Sequence, residues 1–216
     1  MQVPVWWYAT PCASGIFALR PWPVTTRSMK FTNRQIRLKT GEQVTLRMAL
    51  EADALPLTAM ISNYLLDSDH IPRLPEEFHP EQEQQEQWIR TFREKDNSLM
   101  LVAVREDGGM IGNIDLGGSD RQIMQHTAVI GMGMLKGWRN TGLGTALLQA
   151  LIDWAGQHPV LELLWLQVYA DNEAGLALYR KMGFKENGTI RNFFKRDGRY
   201  SDVITMSLNL NENVAC

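Results

Sequence analysis

The pattern of hydrophobic and polar positions along the chain predicts a mixture of strands and helices. Apolar and polar residues alternate over residues 42–49, which is typical of a strand with one buried face. Residues 51–66 then carry apolar side chains at helical spacing, and residues 81–96 are rich in good helix formers. Because three prolines interrupt residues 67–80, the segment between these two predicted helices should be irregular.

The second half of the chain continues with further strands, two helices and tight turns. Asp107-Gly108-Gly109 has the composition of a hairpin turn. An apolar stripe at helical spacing predicts a helix over residues 142–157, and a second helix over residues 171–182 ends at Gly183. The strands of this half are predicted over residues 98–106, 110–116, 127–135, 161–169, 193–195 and 200–210.

These elements, about seven strands and four helices in mixed order, indicate one domain of the α/β (α+β) class. A chain of 216 residues can bury a large core in such a domain. Residues 1–28 differ from the rest because they contain no Asp or Glu and several Trp and Pro. We interpret them as an N-terminal extension, poorly ordered or upstream of a true start at Met29. A secretory signal is the alternative, although the Lys/Arg-rich beginning is missing. The domain is therefore predicted over residues 29–216.

Composition narrows the classes of partner. The chain is 44% hydrophobic and 21% charged, with a net charge of -2. These values are typical of a soluble globular protein without the basic excess of nucleic-acid-binding proteins. Cys12 and Cys216 cannot form a disulfide framework or a CxxC metal site, so a reducing cytoplasm is the expected setting. The four histidines lack metal-binding spacing. We therefore expect no metal, nucleic acid or membrane partner.

A strand, a glycine-bearing turn and a helix follow one another between Val129 and Gln157, an order that suits phosphate binding at a helix N-terminus. The loop is not a Walker A loop, because Leu143 and Gly144 occupy the positions that need Lys and Ser/Thr. A GxGxxG dinucleotide motif also fails, since no third glycine is in register. The sequence from Arg139 to Gly144 reads R-x-x-G-x-G and resembles the acetyl-coenzyme A (acetyl-CoA) pyrophosphate loop of the GCN5-related N-acetyltransferase (GNAT) superfamily. An ordinary strand, turn and helix is the alternative.

A second stretch makes the resemblance specific. Asn172 to Phe184 reads N-x-x-G-x-x-L-Y-x-x-x-G-F, which is similar to the other conserved half of the GNAT acetyl-CoA site. The two motifs occur in the family order with a strand between them and together cover residues 129–184. The chain is thus identified as a small member of bacterial type. The resemblance implies the GNAT fold, a single mixed and mostly antiparallel central sheet flanked by helices, and acetyl-CoA as co-substrate.

The resemblance also implies a role for individual residues of the acetyl-CoA site. The pantetheine arm would follow one strand edge, in a gap between residues 131–135 and residues 164–168. Asn172 would contact the cofactor, and Tyr179 would lie near its sulfur. The backbone N–H groups for the pyrophosphate would come from Arg139, Asn140, Gly142, Leu143, Gly144 and Thr145, and the strand edge from Met132, Met134 and Leu135.

Proton transfer needs an acid and, for some acceptors, a base. A tyrosine with a pKa of ~10 stays protonated near neutrality, so Tyr179 can protonate a departing thiolate whose pKa is near ~8.5. An α-amine with a pKa of ~8 is already partly neutral, and a chain of water molecules would serve it. A more basic amine needs a base, for which Asp115 and His126 are the candidates, although each is also typical of a surface or structural residue.

The sequence therefore predicts an N-acetyltransferase that moves the acetyl group of acetyl-CoA to a primary amine by direct attack in a ternary complex. The acceptor would be a small molecule, an amino acid or a protein N-terminus. It would enter over residues 67–80, where Asp67, Asp69, Glu76 and Glu77 should attract a cation. A non-catalytic acetyl-CoA sensor is the alternative function, and a homodimer is compatible with the sequence.

Overall fold

A computed structural model describes residues 29–214, which form one eight-stranded sheet with helices on both faces. The strands are β1 (Arg34–Arg37), β2 (Gln43–Met48), β3 (Leu99–Arg105), β4 (Met110–Gly118), β5 (Thr127–Met134), β6 (Leu163–Tyr169), β7 (Lys185–Arg196) and β8 (Arg199–Asn209). The α-helices are α1 (Ala54–Leu66), α2 (Gln82–Glu94), α3 (Leu143–Gly156) and α4 (Glu173–Lys181). The prediction for residues 1–28 lies outside the described residues.

The strands lie in the order β1-β2-β3-β4-β5-β6-β8-β7. Every neighbouring pair is antiparallel except β5 and β6, which are parallel. This arrangement confirms the prediction of a single mixed and mostly antiparallel sheet. Strand β6 is an interior strand, with β5 on one side and β8 on the other, as its apolar sequence predicted.

Two hydrophobic cores cover the two faces of the sheet. On one face, α1 and α2 pack on residues of β3 such as Met100 and Val102. On the other face, the apolar stripe of α3 packs on the central strands, and α4 contributes Leu176 to the same core. Because successive residues of a strand point to opposite faces, β3 supplies side chains to both cores, for example Leu101 to one and Met100 to the other.

The structure extends the prediction at both edges of the sheet, with eight strands where about seven were expected. β1 was missed because its sequence, RQIR, has a single apolar residue and therefore no alternating pattern. Only the end of β7 was predicted, since its first residues are polar and exposed on both faces. Bulges interrupt its register with β8, and Asn192 there has a positive φ of 55°.

The remaining boundaries agree closely with the predicted elements. The segment between α1 and α2 is irregular as expected, apart from a short 3-10 turn at Pro75–Glu77. No helix within residues 29–214 is both long and apolar enough to cross a membrane.

Candidate active site

The predicted phosphate loop lies between β5 and α3 and presents free backbone N–H groups at the start of the helix. Gly142 precedes the helix with a φ of 95°, a left-handed conformation that glycine adopts without strain. The N–H of Ala146 donates to the carbonyl of Gly142 at 3.0 Å, so the preceding N–H groups of the first turn have no partner within the helix. These are the groups of Leu143, Gly144 and Thr145, at the positive end of the helix dipole.

Hydrogen bonds on both sides fix the shape of this loop. The Thr141 hydroxyl donates to the carbonyl of Trp138 at 2.7 Å, and the N–H of Lys39 donates to the carbonyl of Thr141 at 2.9 Å. Asn140, which is exposed, has a φ of 63°. Arg139 points away along the surface, and its Nη1 donates to the carbonyl of Asp67 at 3.1 Å. The pyrophosphate loop is thereby joined to the irregular segment after α1.

The side chains of Met132 and Met134 meet the start of α3 and the middle of α4. A Cβ atom placed on Gly144 would lie 3.1 Å from Cε of Met134, 3.2 Å from Cδ2 of Leu178 and 3.8 Å from Cε of Met132. Glycine at this position therefore lets the three elements approach closely. Leu135 continues the strand edge, since its N–H donates to the carbonyl of Ile111 at 3.0 Å.

A gap opens between β5 and β6 beyond their first residues. The two strands pair only from Thr127 opposite Leu163 to Val129 opposite Trp165. Beyond that point the rest of β5 stays paired with β4, while β6 stays paired with β8. The predicted gap is therefore present along residues 131–134 of β5, but on β6 it starts after Trp165 rather than at Leu164, because the parallel ladder persists that far.

Tyr179 lies on α4, and Asn172 directly precedes this helix. The Tyr179 ring is half-buried and meets the Phe184 ring edge-on, with 5.8 Å between the ring centroids. Burial raises the pKa of the Tyr179 hydroxyl to about 12, so the hydroxyl is protonated at neutral pH and can donate a proton or a hydrogen bond. The Asn172 side chain accepts a hydrogen bond from the N–H of Gly175 at 2.9 Å and thereby caps the helix.

Asp115 lies on β4 directly opposite Gly131 of β5. A Cβ atom on Gly131 would lie 3.0 Å from Oδ2 of Asp115, so the carboxyl group occupies the space that this glycine leaves. No ion pair or hydrogen bond within residues 29–214 reaches this carboxyl group. Burial raises its pKa to about 7, which places its titration near physiological pH.

Two further polar residues lie beside Asp115 and were missed in the sequence. The buried Tyr64 hydroxyl of α1 donates to Oδ1 of the buried Asn113 at 3.3 Å. The Tyr64 ring covers Gly133, where a Cβ atom would lie 2.4 Å from Cζ. Burial and the charge of Asp115 both raise the pKa of Tyr64. Asn113, a second polar residue beside Asp115 in the mainly apolar β4, was the available signal, but its partner Tyr64 is distant in sequence.

His126 does not lie with this group. It precedes β5 at the opposite end of the strand from the gap, is exposed, and accepts the N–H groups of Glu162 and Leu163 with its backbone carbonyl. It lies five positions before Gly131 along the chain, a distance of about 17 Å in an extended strand. The structure therefore brings Asp115 to the gap and leaves His126 away from it.

The irregular segment between α1 and α2 is held against β7 by Arg196. Its Nη1 donates to Oδ1 of Asp69 at 2.9 Å, and its guanidinium also reaches three backbone carbonyls of the segment. Nε2 of His70 lies 3.4 Å from Oδ1 of Asp171. Asp69 therefore has a cationic partner of its own, which weakens the field that was expected to attract an amine. Within residues 29–214 no group of three His, Cys, Asp or Glu side chains could hold a metal ion.

Comparison with known proteins gives the same family throughout. The family model described as "Acetyltransferase (GNAT) family" matches residues 63–184. The L-amino acid N-acetyltransferase AaaT of Escherichia coli is 27% identical over 120 residues, which cover 56% of this chain and 74% of that protein. The ribosomal-protein-alanine N-acetyltransferase of Brucella melitensis superposes with a TM-score of 0.67 and 29% identity, covering 76% of this chain and 98% of the other. The acetyltransferase yncA of Salmonella typhimurium, solved with its cofactor acetyl-CoA, gives a TM-score of 0.68 at 22% identity, covering 77% of this chain and 94% of the other.

Proposed function

The chain belongs to the acetyltransferase (GNAT) family and is an acyltransferase, and from this premise we propose that it transfers the acetyl group of acetyl-CoA to a primary amine by direct attack in a ternary complex. The observation that carries the proposal is the gap between β5 and β6, which has the free N–H groups of α3 and Tyr179 on one face of the sheet and Asp115 on the other.

The residues on the face of α3 and Tyr179 suit the binding of acetyl-CoA, the acetyl donor. A diphosphate can accept hydrogen bonds from the loop and from the first turn of α3, where the dipole favours negative charge. The apolar Met132 and Met134 then suit the methyl and methylene groups of a pantetheine arm, which would lie along the strand edge that Leu135 continues. The loop groups in this role are the N–H groups of Asn140, Gly142, Leu143, Gly144 and Thr145, with Asn172 at the start of α4. The N–H of Arg139 was expected to join them, but it donates to the carbonyl of Lys136 at 3.2 Å.

The register of the sheet separates the donor from the acceptor. Residues that pair across a ladder point to the same face of the sheet, as do residues two apart in one strand. Asp115 pairs with Gly131, and Val129, two residues before Gly131, pairs with Trp165. Gln167 and Tyr169, which follow Trp165 at intervals of two, therefore share the face of Asp115. Met132 and Met134 point to the opposite face, toward α3 and α4. An amine that approaches on the Asp115 face can therefore reach a thioester in the gap without crossing the donor.

The titrating groups supply both proton transfers. Asp115, with a pKa of about 7, accepts the proton of the ammonium form of the acceptor, directly or through water. The neutral nitrogen then attacks the thioester carbonyl, the C–N bond forms, and the C–S bond breaks. The thiolate that leaves takes the proton of the Tyr179 hydroxyl, which the burial of this residue keeps protonated until that step. The nitrogen of the adduct releases its second proton to water as the amide forms, and water returns a proton to Tyr179. Asp115 then releases its proton, so the net products are the amide, the CoA thiol and one proton.

The experiment is a turnover assay that detects free thiol from acetyl-CoA against a panel of free amino acids, aliphatic and aromatic amines, and peptides with free N-termini. Two relatives are named for different acceptors, L-amino acids for one and ribosomal-protein alanine for the other, so the panel contains both classes. Turnover with at least one amine supports the proposal. Calorimetric binding of acetyl-CoA without turnover of any amine would instead establish a sensor.

A further inference from the structure

An aromatic pocket lies beside the gap, on the face of Asp115. Its walls come from three elements: the segment between α1 and α2, strand β6, and strand β7. The lining side chains are His70, Pro72, Gln167, Tyr169, Phe193 and Phe194. From this pocket we infer that the acceptor is a primary amine that carries an aromatic ring, and that the pocket binds this ring. The inference rests on the proposed function, since it names the acceptor class for the same site.

The rings of the pocket are arranged to receive another ring. Tyr169 and Phe194 are stacked, with 4.3 Å between centroids and 16° between planes, and Phe193 meets Phe194 edge-on at 4.9 Å. His70 is tilted against Tyr169 at 5.7 Å. Tyr169 is only 8% exposed, whereas Phe193 is 37% exposed, so the wall is fixed at its base and open at its rim. Aromatic pairs of this geometry stabilise a bound ring beyond the area that it buries.

The charge of the lining also separates classes of amine. None of the lining side chains is a carboxylate. Of the two carboxylates nearest in sequence to these residues, Asp69 already pairs with Arg196, and Oδ1 of Asp171 lies 3.4 Å from Nε2 of His70. A second ammonium group, as in a polyamine or lysine, would lose hydration in this pocket without gaining an ion pair. An uncharged aromatic ring has no such hydration to lose, and it gains apolar contact in the pocket.

The position of the pocket connects it to the reaction. Gln167 and Tyr169 lie on the part of β6 that has separated from β5, on the same face as Asp115. The carboxyl ends of parallel strands lie at the same end of a sheet, so the gap beside Gly131 and the pocket are neighbours. A ring in the pocket therefore leaves an amine on a short linker beside the gap, where Asp115 can take its proton.

The test compares phenethylamine, L-phenylalanine and a peptide with N-terminal phenylalanine against isoamylamine, L-alanine and a peptide with N-terminal alanine. We expect kcat/KM for the best aromatic acceptor to exceed that for its matched partner by roughly 30-fold, a usual discrimination for one buried apolar group. Phe194→Ala should remove most of this ratio and leave the KM for acetyl-CoA unchanged. Phe194→Leu, which preserves apolar packing, should keep part of it.

Tyr200→Ala is the matched control, because Tyr200 is an exposed aromatic residue outside the pocket, and it should leave the ratio unchanged. Equal kcat/KM for aromatic and aliphatic partners in the wild type would overturn the inference, as would an equal loss for both in Phe194→Ala.

Absence of turnover with every amine would refute the proposed function instead. Calorimetry of phenethylamine binding in the presence of CoA then decides: binding lost in Phe194→Ala supports the pocket, and no binding to the wild type overturns it.

Discussion

The environment of Asp115 follows from two glycines on the neighbouring strand. Gly131 leaves room for the carboxyl group, and Gly133 leaves room for the Tyr64 ring beside it. The carboxyl group is thus enclosed without a cationic partner among the described residues, and burial alone raises its pKa to about 7. The ionised form of a carboxyl group in such an environment lowers the stability of the fold. Groups whose pKa is shifted in this way occur at sites that transfer protons.

Asp115→Asn should lower activity and change its pH dependence. Asparagine cannot accept the amine proton, so kcat/KM should fall by roughly 10²-fold. The wild-type kcat/KM should rise with pH through an ionisation near 7, and this ionisation should be absent in the variant. A pH profile of kcat/KM between pH 5.5 and 9 measures both. An unchanged ionisation in the variant would assign it to another group.

The same variant should be more stable than the wild type at high pH. The carboxyl group of an unfolded Asp titrates near ~3.9, and its raised pKa in the fold means that the folded protein binds the proton more tightly. Its contribution is therefore fully present below pH ~4 and is lost as the pH rises through about 7. Urea unfolding should show Asp115→Asn stabilised by up to about 4 kcal/mol at pH 8 and by nothing at pH 4. A difference independent of pH would contradict this explanation.

Tyr179→Phe removes the hydroxyl and keeps the ring against Phe184. If the hydroxyl protonates the thiolate, kcat should fall by roughly 10²-fold while the KM for acetyl-CoA stays the same. Steady-state kinetics with Tyr200→Phe as an exposed-tyrosine control measures the effect. A wild-type kcat in Tyr179→Phe would assign the proton to water.

At the scale of elements, α3 places a row of unpartnered N–H groups at one end of the helix. Gly144→Glu should weaken acetyl-CoA binding by at least about tenfold, because a carboxylate would oppose the diphosphate and the new side chain would displace the ends of Met134 and Leu178. Gly156→Glu at the other end of the same helix meets no atom within 4 Å and serves as the control. Calorimetry on both folded variants tests the prediction, and equal affinities would remove the phosphate role from α3.

Arg196 joins two elements that form the walls of the aromatic pocket. Arg196→Ala removes all four of its hydrogen bonds to residues 68–73, so this segment should loosen. We expect the KM for the best amine to rise by roughly tenfold and the KM for acetyl-CoA to stay constant. Lys185→Ala, which breaks an exposed pair with Glu212, is the control. An equal rise in both KM values would indicate a general loss of structure.

At the scale of the whole molecule, the described residues, 29–214, contain an eight-stranded sheet and a hydrophobic core on each of its faces. We therefore expect a chain that starts at Met29 to keep the melting temperature and turnover of the full chain. A chain that starts at Thr32 should lose about 3 kcal/mol of stability. It lacks Phe31, which is 8% exposed, and the Met29 carbonyl that accepts the indole N–H of Trp154 at 3.0 Å. Thermal unfolding of the three chains distinguishes these cases, and a destabilised chain starting at Met29 would show that residues 1–28 contribute to the domain.

The sequence by itself determined the features that are local in the chain. The strand, turn and helix around Gly142 are contiguous, so their residue pattern predicts both the element boundaries and the free N–H groups of α3. The helix from Asn172 to Gly183 is defined in the same way by its cap and its terminal glycine. Strand β1 and most of β7 were not predictable, because their exposed and mainly polar residues carry no periodic signal.

Only the tertiary structure decided which side chains meet at the site. Asp115 and His126 were equivalent candidates in the sequence, and the register of β4 against β5 brings one to the gap while strand length keeps the other away. Tyr64 reaches Asn113 across 49 residues of chain, and the aromatic pocket combines residues as far apart in the sequence as His70 and Phe194. Such contacts depend on register and packing between distant segments, and no local pattern of residues encodes them.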